Sequence, residues 1–136
     1  MAYIWSSDLE IGNALIDNQH KQLIVTYNDL LKACSCASGS TKINETLDFL
    51  VAYTVRHFAD EEAYQKRINY PSYSLHKKMH DDFKVVVGDL AQKLKTEGPT
   101  TAIIVAVNNK VGTWLVNHIK SEDKKISAYL KAKTSA

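Results

Sequence analysis

Five histidines (His20, His57, His76, His80 and His118) and two nearby carboxylates, Glu61 and Asp123, are the residues of this sequence that could do chemistry. Neutral imidazole and carboxylate are both metal ligands; together they suit iron, though manganese or zinc would also accept them. Residues four apart on an α-helix differ by about 40° in direction and share a face. His57 with Glu61, and His76 with His80, can therefore each aim two donors at one place. Seven donors are too many for one tetrahedral zinc. If Glu61 and Asp123 each bridge two metals, one metal takes three imidazoles and two carboxylate oxygens, and the other takes two of each. A solvent-derived oxygen bridge then completes six ligands on one metal and five on the other, leaving one open position. Cys34 and Cys36, the only cysteines, make a poor zinc site and read as inert or mildly oxidisable thiols.

Such a constellation needs long helices, and the sequence permits them. Only two prolines and five glycines interrupt 136 residues, and 45% apolar with 24% charged residues is the balance of one globular domain, 1–136. A net charge of +2 leaves no footprint for nucleic acid. No apolar run reaches the roughly 18–20 residues of a membrane span and no signal peptide opens the chain, so a cytoplasmic location is expected. Residues 1–16, with Trp5, read as an arm lying across the domain. A first helix is expected over about 18–37, capped by Asp17 or Asn18 and ending at the turn Ala37-Ser38-Gly39-Ser40. A second spans about 41–66 and stops before Asn69-Tyr70-Pro71. A third runs over about 72–95 from a Ser72 cap, its Gly88 explained by close packing against a neighbour. A fourth covers about 99–132 with Pro99 in its first turn and a fraying tail from Lys131. Short connections between four amphipathic helices predict an all-α, up-down-up-down four-helix bundle with an N-terminal arm.

In that bundle, residues equally far from a shared turn stand at one height. Around Asn69, His57 and Glu61 lie 12 and 8 residues before the turn, and His76 and His80 lie 7 and 11 after it. Around Gly39, His20 and His57 lie 19 and 18 away; around Gly98, His80 and His118 lie 18 and 20 away. At about 1.5 Å of rise per residue, all four helices bring their donors to one level. A lone helical histidine is usually core or surface, but scattered ones have no reason to pass three such counts. His118 and Asp123 are five apart, which on a regular helix is about 140°, so a π-bulge or frayed turn is expected between them. Leu23, Phe58, Trp114 and Ile119 flank the donors and are expected to line an apolar pocket.

The ordered set of Asp17-x-Gln19-His20, His57-Phe58-x-x-Glu61-Glu62, Tyr70-Pro71, His76-x-x-x-His80-x-x-Phe83 and Trp114-x-x-x-His118-Ile119-x-x-x-Asp123 resembles the hemerythrins, especially the bacterial hemerythrin-like domains. The resemblance covers nearly the whole chain. It implies two non-haem iron ions (Fe2+/Fe3+) with an oxo or hydroxo bridge and reversible O2 binding, with azide or similar small anions binding the ferric form. It implies that His76, His80 and His118 hold one iron, that His20 and His57 hold the iron with the open position, and that Glu61 and Asp123 bridge. Gln65 departs from the pattern, standing where bacterial relatives often have Met. The resemblance leaves two uses for this chemistry: O2 carrier or store, or the O2 sensor of a longer signalling protein such as a chemotaxis receptor, with the Trp5 arm as its moving part. The rival is a di-iron oxidase or peroxidase, but such enzymes use Glu-x-x-His pairs. No Glu-x-x-His occurs in this sequence, and a non-enzyme is expected.

Overall fold

The computed structural model describes residues 3–35 and 40–135, so Cys36 and the 37–39 part of the expected first turn lie outside the described residues. Three long helices come first: α1 (Ala14–Ser35), α2 (Ser40–Arg67) and α3 (Tyr73–Glu97). A fourth rod is built in pieces: α4 (Thr101–Val107), α5 (Thr113–His118) and α6 (Lys124–Ser135). Two π-helical turns, Asn108–Gly112 and Ile119–Asp123, join the pieces without leaving helical backbone angles. A short 3-10 turn, Ser7–Leu9, is the only regular element of the arm among the described residues. No described helix is long and apolar enough to cross a membrane.

Side-chain pairings give the helices their relative directions. As α2 advances from Asp48 to Glu62, its α3 partners recede from Lys95 to His80. Along α1 from His20 to Tyr27, the partners on the fourth rod recede from Asp123 to Asn108. From His80 to Phe83 on α3, they recede from His118 to Trp114. Each of these neighbouring pairs thus runs antiparallel. Leu23, Tyr27, Leu30, Leu47, Leu50, Phe83, Val87, Leu90, Val107, Val111 and Leu115 fill the interior above the histidines.

Several helix ends differ from the sequence reading, each for a local reason. α1 begins at Ala14, four residues early, because the Asn13 carboxamide accepts from the Ile16 N–H at 3.0 Å. Asp17 instead ties down the arm, accepting from the backbone of Ile11 and Gly12 at 2.7 and 3.2 Å. α2 ends in a Schellman arrangement: the Tyr70 N–H donates to the Gln65 carbonyl, the Asn69 N–H to Lys66, and Asn69 itself is left-handed at φ 57°. Ser72 stands at the α3 cap position, but its hydroxyl makes no capping bond. The cap of α4 is Thr100, whose side chain accepts from the Ile103 N–H, so Pro99 precedes the helix rather than opening it. The expected fraying tail is helical as far as Ser135.

The glycine expected to be packed against a neighbour is not the one that is. A methyl group at Gly88 would meet nothing within 4 Å, whereas at Gly112 it would collide with the Tyr27 ring. Tyr27 packs its phenol end against that backbone, and its buried hydroxyl donates to Asn108 Oδ1 at 3.0 Å, at the head of the first π turn. The same turn is closed by the Thr113 N–H donating to the Asn108 carbonyl five residues back. No pair of candidate ligands marks this turn in the sequence, and it was not expected.

Candidate metal centre

The seven donor residues meet inside the bundle. Two groups of donor atoms each lie within 4.8 Å of one another: Glu61, His76, His80, His118 and Asp123 in one, and His20, His57, Glu61 and Asp123 in the other. Glu61 and Asp123 belong to both. All seven residues are buried, His118 the most accessible at 6%. The helices deliver them as the spacing requires: His57 and Glu61 from one face of α2, and His76 and His80 from one face of α3. The π turn Ile119–Asp123 adds its extra residue between His118 and Asp123, returning Asp123 to the face of His118.

The contacts within the cluster lie at hydrogen-bond distances but are too numerous for each to be an ordinary hydrogen bond. His76 Nε2 lies 2.8 Å from Glu61 Oε1 and 3.0 Å from Asp123 Oδ1, and His20 Nε2 lies 3.0 Å from Asp123 Oδ2 and 3.2 Å from Glu61 Oε2. His118 Nε2 stands 3.0 Å from His76 Nε2 and 3.2 Å from His80 Nε2. One ring nitrogen cannot donate to two others and to a carboxylate at once. Despite such neighbours, Glu61 Oε1 and Asp123 Oδ1 have no hydrogen bond of acceptable direction. Lone pairs converging on common points, with oxygens left unpaired, are what cation binding by a buried imidazole and carboxylate set requires. The residues fit a metal site.

Without a cation, the cluster is a buried charge network. Burial works against charge on His20 and His76, but hydrogen bonds and charge from Asp123 and Glu61 outweigh it and raise both to about 9. His57 moves the other way, lowered chiefly by burial. Burial would raise Glu61, yet the imidazoles of His20, His57, His76 and His80 hold it well below the usual carboxylate range. Asp123 is lowered too: burial and the Glu61 charge push upward, and His118 and His20 prevail.

The far sides of two imidazoles are held by residues for which sequence reasoning assigned no role. His57 Nδ1 lies 2.8 Å from Gln19 Oε1, and Gln19 Nε2 donates to Asp60 Oδ2 at 2.7 Å. His80 Nδ1 lies 2.8 Å from Glu62 Oε2. Placing the proton on Nδ1 leaves the Nε2 lone pair free to face the cluster. Gln19 and Glu62 adjoin donors in the sequence, but nothing in their spacing says which ring they serve. The apolar walls are aromatic where they touch the rings. Phe58 stacks on His80 at 3.8 Å, and Trp114 stacks on His118 at 4.4 Å and on Phe83 at 3.9 Å. Leu23, Phe58 and Ile119 are sealed in the core, whereas Trp114 is half-buried and borders, with Phe83 and His118, a surface groove of about 720 Å³.

Fold and cluster together define the class: a helical bundle with a histidine-rich cation site in its interior. The chain belongs to the hemerythrin family, for residues 11–130 match the Hemerythrin HHE cation binding domain. It is 30% identical over 129 residues to a bacteriohemerythrin of Stenotrophomonas maltophilia, covering 95% of this chain and 82% of that one. A myohemerythrin of Sipunculus nudus is 30% identical over 94% of this chain and 93% of its own. A hemerythrin-like protein of Naegleria gruberi is 36% identical, with 93% and 92% covered. The crystal structure of a leucine-to-phenylalanine mutant protein superimposes with a TM-score of 0.77 at 30% identity, covering 94% of this chain and 97% of the other.

Proposed function

We propose that this chain binds O2 reversibly at a pair of non-haem iron ions, with residues 1–136 acting as one domain. The observation that carries this reading is the sharing of Glu61 and Asp123 between two donor groups, one with three imidazoles and one with two. His76, His80 and His118 serve the first position, His20 and His57 the second, and the two carboxylates serve both. Such an ion pair, when bound, would supply two electrons reversibly, one from each iron, and the position with fewer protein ligands would leave room for one exogenous O2 or small anion such as azide. The protein's part is to orient and to seal. Gln19 and Glu62 keep protons on His57 Nδ1 and His80 Nδ1 and so keep Nε2 available. Leu23, Phe58 and Ile119, buried in the core beside the donors, exclude bulk water from the cluster, with Trp114, stacked on His118, closing the groove side.

Five imidazoles to two carboxylates is a donor set rich in neutral ligands, which favours the ferrous state over strongly oxidising chemistry. Hemerythrins bind O2 rather than catalyse a reaction, and the oxidase or peroxidase alternative loses its ground with the family. Carrier or store and sensor remain two uses of the same binding. For the sensor use the arm, with Trp5, would be the moving part: its turn Ser7–Leu9 packs on the π turn that carries Asp123, and Lys124 Nζ donates to the Glu10 carbonyl at 2.6 Å. The deciding experiment is an optical spectrum of anaerobically reduced protein before and after air, with iron counted per chain. Two irons and a charge-transfer band that appears with O2 and leaves on deoxygenation are expected. A colourless protein holding zinc would defeat the reading.

A further inference from the structure

Gln65 is wholly buried, yet neither its Nε2 nor its Oε1 meets a hydrogen-bond partner among the described residues. An unpaired buried amide is costly, so its persistence asks for a partner. The helix end cannot relieve it by fraying, because the Gln65 carbonyl accepts from the Tyr70 N–H at 2.9 Å in the α2 termination. The side chain stands four residues beyond Glu61, on the same face of α2. Five buried side-chain atoms lack partners among the described residues: two are the Gln65 amide atoms, two are Glu61 Oε1 and Asp123 Oδ1, and the fifth is His20 Nδ1. A donor without an acceptor thus lies one helical turn from Glu61 Oε1, whose nearest nitrogens, His76 Nε2 at 2.8 Å and His80 Nε2 at 3.3 Å, are not directed to bond it. Internal waters typically take about three such polar partners.

We infer that Gln65 is a positioning residue for Glu61, its amide holding one internal water that donates to Glu61 Oε1. A carboxylate oxygen carries two lone pairs, so it can accept this bond and still face a cation. The bond fixes the rotation of the carboxylate that both donor groups share. The inference rests on the metal reading above for its consequence, but not for the hydrogen bond itself.

The test compares native protein with Gln65→Met and Gln65→Leu, in metal-free and iron-loaded form, by thermal melting and by the infrared carboxylate bands. A bonded amide means that both variants melt lower, by about 4 °C for one lost hydrogen bond in a domain of this size, and that the carboxylate bands shift. A rise or no change in melting overturns the inference, since removing an unsatisfied polar group stabilises. Lower melting with unmoved carboxylate bands also overturns it, leaving Gln65 a packing residue. Should neither variant fold, a high-resolution crystal structure of the native protein decides: a water touching both Gln65 and Glu61 supports the inference, and its absence overturns it. Native protein that takes up no metal defeats the proposed function alone, because melting and crystallography of the metal-free chain still read the hydrogen bond.

Discussion

His57 and Gln19 meet ring nitrogen to amide oxygen at 2.8 Å across the α1–α2 interface, and this contact selects which His57 nitrogen faces the cluster. Gln19 is itself held by Asp60 at 2.7 Å, so the imidazole is oriented from two residues away. Gln19→Leu removes the acceptor while preserving bulk. Loss of such an outer contact typically costs about 10–100-fold in metal affinity. Competition with a chelator of known affinity measures it, and an unchanged affinity would show that packing alone orients His57.

Glu61 touches imidazoles of both donor groups, His76 at 2.8 Å and His20 at 3.2 Å. Glu61→Ala should therefore abolish stable loading at both positions. His57→Ala should spare the five-donor position, because His57 belongs only to the other group. Metal counted per folded chain separates the two outcomes. Equal losses in the two variants would mean that the groups do not act as two positions sharing a carboxylate.

The contrast between Gly112 and Gly88 gives opposite signs for one substitution. Gly112→Ala drives a methyl group into the Tyr27 ring, and overpacking of this kind typically costs about 1–3 kcal/mol. Gly88→Ala meets open space on an ordinary α3 backbone and should stabilise by about 0.5–1 kcal/mol. Melting temperatures should move down and up respectively. A fall at Gly88 would show a neighbour there that the fold does not place.

The donor level was legible because helix rise is constant: distances counted from Gly39, Asn69 and Gly98 put all five histidines at one height. The turn at Ile119–Asp123 was legible for the same reason, since two ligands five residues apart contradict a regular helix. The matching turn at Asn108–Gly112 was not, because what demands it is a tertiary contact, Tyr27 lying on a bare backbone. Gly88 drew attention by standing inside an apolar stripe, a pattern that cannot say whether a neighbour is near. The cap was expected at Asp17 or Asn18 and Asn13 was missed, because all three are good cap residues and only the path of the arm decides among them. The Nδ1 partners, Gln19 and Glu62, depend on side-chain reach across helices, which spacing along one chain does not encode.

The metal-free chain should have a characteristic pH profile of stability. His20 and His76 rise from 6.5 to about 9 on folding, so the stability from their pairing is fully present below pH 6.5 and is lost as pH climbs through about 9. Glu61 and Asp123 are depressed, so their contribution is present above the ordinary carboxylate value of about 4 and is lost as pH falls below it. Melting of chelated protein should be highest near pH 6.5 and should fall by pH 9.5; it should also decline below about pH 6, because His57, lowered by burial, resists the proton that the unfolded imidazole takes up. Loaded protein should not show the alkaline fall, because cations replace the protons that the imidazoles would otherwise lose. Loading near neutral pH should accordingly release protons, measurable in a weakly buffered titration. A metal-free chain that melts higher at pH 9.5 than at pH 6 would mean that its histidines are neutral and that the carboxylates are held by something other than imidazolium.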